Sequence, residues 1–133
     1  MDNRQRELSD YRLNQAEESL KVSRYCFDNE FYKDSINRSY YSVFYSIKAV
    51  LSLDSVDFKR HKDVIGYFNK EYVATGVFPR MIGRNIGILK QIREDSDYDD
   101  FYLATKEEAE EQIATAKEFL ALVEAYCLRR MGE

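Results

Sequence analysis

Apolar residues recur at intervals of three and four along most of the chain, which places them on one face of an α-helix. No long stretch alternates apolar and polar residues with period two, and one Pro and five Gly leave few breaks. The pattern predicts long helices over about 9–27 and 31–53, a short helix over about 61–72, a helix beginning at Pro79, and a last helix from Thr105 to about 130. Long helices joined by short loops pack as antiparallel neighbours. The sequence therefore predicts an all-α, up-and-down helical bundle of four long helices plus one short helix.

The second helix is expected to be the most buried. Its apolar residues follow four-three-four-three spacing, the pattern of a bundle seam, at Ile36, Tyr40, Val43, Ile47 and Val50. Phe44 and Leu51 widen this apolar face, so the helix should contact several neighbours at once.

Local signals mark the ends of the later helices. Pro79 suits a first helical position, where its missing N–H carries no penalty. Thr105 and Glu108 have the spacing of a capping box. Between these signals, Gly83 and Gly87 form a small-residue strip that could admit close packing of another helix, and residues 95–102 are predicted to be an acidic, irregular segment.

Composition narrows the class of protein. With 133 residues the chain has the length of one domain, 1–133, with its core over about 10–128. Lys and Arg number 20 against 24 Asp and Glu, so the net charge of −4 disfavours a globally basic nucleic-acid binder but permits a local basic patch. Two cysteines are too few for a zinc site, and His61 is the only histidine, so we expect no metal and no cofactor. No signal peptide or membrane span is visible, which indicates a cytoplasmic protein.

Three segments carry candidate chemistry. Arg38 and Tyr41 share one face of the aromatic second helix, which suits either core and dimer packing or base stacking with a phosphate contact. His61 lies in the cationic run 59–62, which is either a solvated helix start or an anion-binding patch. Arg93 precedes Asp97 and Tyr98 near a predicted helix end, where it could cap carbonyls and pair with acids, or hold a phosphate.

Taken in order, these segments resemble the HEPN superfamily, and most closely its small stand-alone prokaryotic members. The resemblance covers about residues 10–128 and rests on Arg38-x-Tyr40-Tyr41-x-x-Phe44, Lys48-Ala49-x-Leu51, His61-Lys-x-Val64-Ile65-x-x-Phe68, Arg93-x-x-x-Asp97-Tyr98, Thr105-x-x-x-Ala109 and Ala116-x-x-Phe119. It implies a bundle of four long helices plus a short one, usually dimeric. It also implies association with nucleotide or RNA, and frequent pairing with a minimal nucleotidyltransferase in toxin–antitoxin or defence systems.

The chain departs from the catalytic members of that superfamily, which are metal-independent ribonucleases with an Arg and a later His separated by four to six residues. After Arg84 the corresponding positions hold Leu89, Lys90 and Gln91, and after Arg93 the fifth residue is Tyr98. Attack by a 2′-OH needs a group that moves protons near neutral pH, and a phenol does this poorly because its pKa is near 10. His61 could substitute for the missing His only if the fold placed it beside Arg93.

The sequence therefore favours a non-catalytic, homodimeric module that binds a nucleotide, RNA or a nucleotidyltransferase partner. Arg38 and Arg93 are expected to contact phosphate, Tyr41 to stack, and Asp97 to orient Arg93. The resemblance makes Tyr98 a candidate for adenylylation. The rival hypothesis is a divergent ribonuclease toxin that uses Arg93 with Tyr98 or His61, and a third is a purely structural dimer.

Overall fold

A computed structural model describes residues 1–132 and shows an all-α bundle of four long helices and one short helix, as the sequence predicts. The helices are α1 (Asn3–Asp28), α2 (Tyr32–Ser52), the short α3 (His61–Phe68), α4 (Arg80–Tyr98) and α5 (Lys106–Met131). A π-helical turn, Asn69–Val73, continues α3. Within the described residues, no helix combines the length and apolar character that crossing a bilayer requires.

Four helix ends differ from the sequence-based expectation. Pro79 is the extended N-cap of α4 and not its first helical residue. Helix α1 begins well before Ser9, because Asp2 caps it and forms a reciprocal capping box with Gln5. The third helix does not reach Tyr72 as a regular α-helix, since its last turn widens into the π-helical turn. Helix α4 runs on to Tyr98 through the segment predicted to be irregular, so Arg93 lies more than one turn inside the helix and not at its end.

Helix α2 is the central element, as its apolar spacing predicts. It packs on α1, α3, α4 and α5, and it carries thirteen buried residues. The core is aromatic where α3, α5 and the loop that precedes α4 meet. The ring centroids of Phe68, Phe78 and Phe119 lie 5.3–5.8 Å apart there. A continuous core therefore runs along the whole inner face of α2.

The contact between α1 and α2 is lined by buried serines, which an apolar pattern does not reveal. Ser23 Oγ donates to the carbonyl of Ser35 at 2.7 Å and lies 2.7 Å from Ser39 Oγ. Ser42 Oγ donates to the Ala16 carbonyl at 2.8 Å. Small side chains let the two helices approach closely, and each hydroxyl finds a partner in the interior. We call this row the serine seam; it continues at Ser9, whose Oγ donates to the Ala49 carbonyl at 2.9 Å.

The two glycines of α4 have different surroundings. A Cβ on Gly83 would lie 2.8 Å from Val73 Cγ1, so the π-helical turn occupies the space beside this residue. A Cβ on Gly87 would meet nothing within 4 Å. The small-residue strip thus admits a packed segment at Gly83, and that segment is the π-helical turn of the same chain.

A polar cluster ties the end of α5 to the loop that follows α2. Asp54 accepts a short hydrogen bond from the Tyr72 hydroxyl, and its other oxygen lies 2.8 Å from Arg130 Nη2. Arg130 also donates to the Tyr126 hydroxyl at 2.7 Å. Burial opposes ionisation of Asp54, but hydrogen bonds from Arg130 and Tyr72 outweigh it and hold the pKa of this carboxyl below its usual value.

Candidate anion-binding site

Helices α2, α3 and α4 bring the three candidate segments together. Tyr40 and Tyr41 come from α2, His61 begins α3, and Arg93 and Asp97 lie one turn apart on α4. We call these five residues the Arg93 cluster. Tyr40 links two of the other members. The Arg93 guanidinium lies over its ring, and its hydroxyl contacts His61.

The Arg93 guanidinium is held by aromatic faces and one carboxylate. Its Cζ lies 4.7 Å from the ring centroid of Tyr40 and 5.6 Å from that of Tyr41. Arg93 Nη2 donates to the Tyr41 hydroxyl at 3.4 Å. Nε lies 2.9 Å from Asp97 Oδ2, but its buried N–H makes no well-directed hydrogen bond, so the contact is an ion pair. The side chain is 16% exposed, which leaves a constrained cation near the surface.

The imidazole of His61 is fixed by three rings. Its Nδ1 lies 3.1 Å from the Tyr40 hydroxyl, and its ring stacks on Phe44 with centroids 3.9 Å apart. Tyr41 meets it edge-on at 5.8 Å. Burial, followed by the positive charges of Arg93 and Lys48, lowers the pKa of His61 below its usual value. The ring is therefore mainly neutral at pH 7.

Tyr40 connects the two groups but is a poor proton carrier. Burial is the main cause that raises its pKa to about 12, while the nearby Arg93 charge acts in the opposite direction. The phenol therefore stays protonated at neutral pH. Its role in the cluster is to support the guanidinium with its ring and to orient the imidazole with its hydroxyl.

Arg38 and Tyr98 lie at the edge of the cluster. Arg38 is exposed, with its Cζ 6.0 Å from the Tyr41 ring centroid. Among the residues that the structure describes, Arg38 forms no ion pair, so its charge faces solvent. Tyr98 is 77% exposed at the end of α4. The fold thus brings Tyr41, His61, Arg93 and Asp97 into contact with one another or with Tyr40, and leaves the two remaining candidates at the periphery.

Sequence reasoning missed Asn37 and gave Lys48 no role in this site. It named Tyr40 and Phe44 among the apolar and aromatic residues of the second helix but did not choose them as site residues. Asn37 donates to Asp97 Oδ2 at 3.4 Å, Phe44 stacks on His61, and Lys48 adds positive charge near the imidazole. These positions follow one another at seven and four residues along α2, which is the spacing of one helix face. That spacing was the available signal, and it also includes Tyr41.

The site has the chemical character of an anion-binding surface. It offers a constrained guanidinium, an exposed one, a phenol face and a neutral imidazole, which together match a phosphate and a base. Within residues 1–132, no group of three His, Cys, Asp or Glu side chains comes together as metal ligands would.

Comparison with known proteins defines the class. The model of the HEPN domain matches residues 9–126, so the chain belongs to the HEPN domain family. The crystal structure of ST0689, an archaeal HEPN homologue, has the same fold, with a TM-score of 0.72 and 20% identity over 90% of this chain and 97% of that one.

The curated relatives include proteins named as toxins. Over 89% of its length the chain is 31% identical to Putative toxin MJ0142 of Methanocaldococcus jannaschii, covering 80% of that protein. Over 79% of its length it is 35% identical to Putative toxin MJ0605 of the same organism, covering 78% of it. A UPF0332 protein of Thermotoga maritima is 28% identical over 92% of both chains.

Proposed function

We propose that the protein is a non-catalytic HEPN module that binds a nucleotide or RNA through the Arg93 cluster. The observation that carries the proposal is the position of the Arg93 guanidinium, 4.7 Å from the Tyr40 ring centroid and beside Tyr41, where three separate segments of the chain meet. A guanidinium that is already constrained loses little freedom when it binds an oxyanion.

Each residue of the site has a role in this proposal. Arg93 and Arg38 contact phosphate, Tyr41 stacks on a base, and Asp97 orients Arg93 through the ion pair at 2.9 Å. The positive charges of Arg93 and Lys48 both act on His61 although the whole chain carries a net charge of −4, and each of these cations also pairs with a carboxylate, Asp97 and Asp57 respectively. The charge near the site, and not the net charge, decides whether a phosphate is attracted to it.

The proton-transfer chemistry of His61 and Tyr40 favours binding over catalysis. Cleavage of RNA by its 2′-OH needs one group to take a proton and another to give one. His61 is the only histidine in the sequence, and its lowered pKa makes it a base but a poor acid at pH 7. Tyr40, with a pKa of about 12, supplies neither role efficiently.

One observation favours a second candidate, a metal-independent ribonuclease toxin. The fold places the His61 imidazole and the Arg93 guanidinium against the same tyrosine, Tyr40, so the only histidine of the sequence lies near the candidate phosphate-binding arginine. In this alternative His61 acts as the base and Arg93 holds the phosphate, while water or a second chain supplies the proton to the leaving oxygen.

The wider role that we propose is that of a cytoplasmic homodimer that acts beside a minimal nucleotidyltransferase in a toxin–antitoxin or defence-type system. The names of two relatives as toxins support this assignment. Exposed apolar side chains, considered below, support the homodimer.

The binding proposal is tested by fluorescence anisotropy with a labelled single-stranded RNA and by calorimetry with ATP, both at low salt. Arg93→Ala should weaken RNA affinity about tenfold or more, because a charge-assisted hydrogen bond is lost, roughly 1.5–3 kcal/mol. The dependence of RNA affinity on salt concentration should also become weaker, by the contribution of one phosphate contact. Arg84→Ala is the matched control, since nine residues along α4 place it on the opposite face, where it is exposed. A wild-type protein that binds neither ligand would overturn the proposal in favour of a purely structural dimer.

The two candidates are separated by incubating the purified protein with RNA. The binding module leaves the RNA intact. Cleavage that both Arg93→Ala and His61→Ala abolish would establish the ribonuclease instead.

A further inference from the structure

A groove between α1 and α5 remains outside the proposed site. Its volume is about 440 Å³, and most of its surface is apolar. It is lined by the apolar side chains of Leu20, Ile113 and Leu120 and by the cations Lys21, Arg24 and Lys117. Glu17 also lines it. Within residues 1–132 none of the three cations forms an ion pair, so the groove combines an apolar floor with more positive than negative charge.

A second unexplained surface has the opposite character. Three large side chains are almost fully exposed at the end of α4 and in the loop before α5: Tyr98 at 77%, Phe101 at 95% and Leu103 at 83%. Asp99 and Asp100 lie between them in the sequence and are exposed. Neither carboxylate forms an ion pair in the part of the chain that the structure describes. We call residues 98–103 the acidic aromatic segment.

We propose that the acidic aromatic segment of one copy docks in the α1–α5 groove of a second copy. Phe101 and Leu103 would cover the apolar floor, and Asp99 and Asp100 would meet the cationic rim. The occupant is a second copy because this chain itself carries a segment whose charge and apolar character complement the groove. Large apolar side chains this exposed are typical of an interaction surface. The inference rests on the proposed homodimer and names its surfaces.

Reciprocal docking closes the assembly. Each copy has one groove and one segment, so an exchange about a two-fold axis satisfies both pairs and leaves neither exposed. It also brings the groove cations of the second copy to the end of α4 that carries Tyr98, five residues beyond Arg93. At 1.5 Å per residue along the helix, this separation is about 8 Å.

Light scattering after size exclusion, at tens of micromolar protein, tests the proposal. The wild type should have twice the 15.8 kDa mass of one chain. Phe101→Ser combined with Leu103→Ser should give the monomer mass, with the dimer dissociation constant raised at least tenfold. Leu128→Ser is the matched control, because it removes an apolar side chain that is 73% exposed on another part of the surface. It should leave the dimer intact.

The groove is tested separately. Arg24→Glu combined with Lys117→Glu should also give monomers, whereas Lys70→Glu, an exposed charge reversal on the π-helical turn, should not. Circular dichroism confirms that each variant is folded. Mixing the segment variant with the groove variant should restore a heterodimer, because one of the two docking contacts remains intact in that pair.

Three results would overturn the proposal: a monomeric wild type, a dimer that survives both sets of substitutions, and a mixture that stays monomeric. Self-association is measured as mass and RNA binding as anisotropy, so either proposal can fail without the other.

Discussion

Replacing Gly83 and Gly87 by Ala, one at a time, tests the packing of α4 with a matched pair. The two residues lie one turn apart on the same helix. The new methyl group on residue 83 would lie 2.8 Å from Val73 Cγ1, while the methyl group on residue 87 would meet open space. The substitution is identical, so any difference in stability comes from the surroundings.

The two substitutions are expected to change the free energy of unfolding in opposite directions. Ala in place of Gly inside an exposed helix raises the free energy of unfolding by about 0.4–1 kcal/mol, through helix propensity and a less flexible unfolded chain. Gly87→Ala should show this full gain. In Gly83→Ala this gain should be outweighed, because the stiff side chain of Val73 cannot move away and overpacking destabilises by roughly 1–3 kcal/mol. The net result at residue 83 is a loss of up to about 2 kcal/mol.

Urea and thermal unfolding followed by circular dichroism measure both changes. One kcal/mol corresponds to a Tm shift of roughly 3–5 °C for a domain of this size. Val73→Ala removes the contacting methyl groups. In that background, Gly83→Ala should therefore cost much less stability than it does in the wild type. Equal stabilisation at residues 83 and 87 would refute the close approach of the π-helical turn to α4.

The remaining predictions concern the polar groups. His61 should titrate in NMR with a pKa below 6.5, and Arg93→Gln should raise that pKa. An unchanged pKa in this variant would show that the Arg93 charge does not act on His61. Because the unfolded imidazole binds its proton more readily, the stability contributed by neutral His61 is complete above pH 6.5 and falls as pH drops through the folded pKa. Asp54→Asn should lower stability by about 1–2 kcal/mol at pH 7, since Arg130 and Tyr72 lose their contact with a charged carboxylate, and the difference from wild type should shrink below pH 4 as the native carboxyl protonates. Ser42→Val should destabilise by roughly 1–3 kcal/mol by forcing α1 and α2 apart, while a neutral result would show that the serine seam has spare room.

The helices were predictable because their signals are local. The spacing of Ile36, Val43 and Ile47 identifies the core face of α2, and all three side chains are buried. The box of Thr105 with Glu108 marks the start of α5, and both of its hydrogen bonds form. The predicted end of α4 was wrong. The acidic residues near it have no apolar periodicity, although they continue the helix to Tyr98.

Part of the candidate site was also visible in the sequence. Arg93 and Asp97 are four residues apart, so the ion pair follows as soon as the helix extends that far. The contribution of Asn37 and Lys48 could not be found by looking for aromatic residues and arginines, since both are polar residues common on any helix surface. The serine seam was missed for a related reason, because serine counts as polar in a hydrophobic pattern even where its hydroxyl bonds internally.

The sequence by itself determined the helical class and the central position of α2, and it supplied the residues that we propose bind an anion. The tertiary structure alone decided that His61 and Arg93 share the Tyr40 ring, although these positions lie far apart in the chain. It also decided that Gly83 faces a packed valine while Gly87 faces solvent. The physical reason is that hydrogen-bonding and periodicity within a helix depend on residues a few positions apart, whereas contacts between helices depend on how their faces are rotated and how closely they approach.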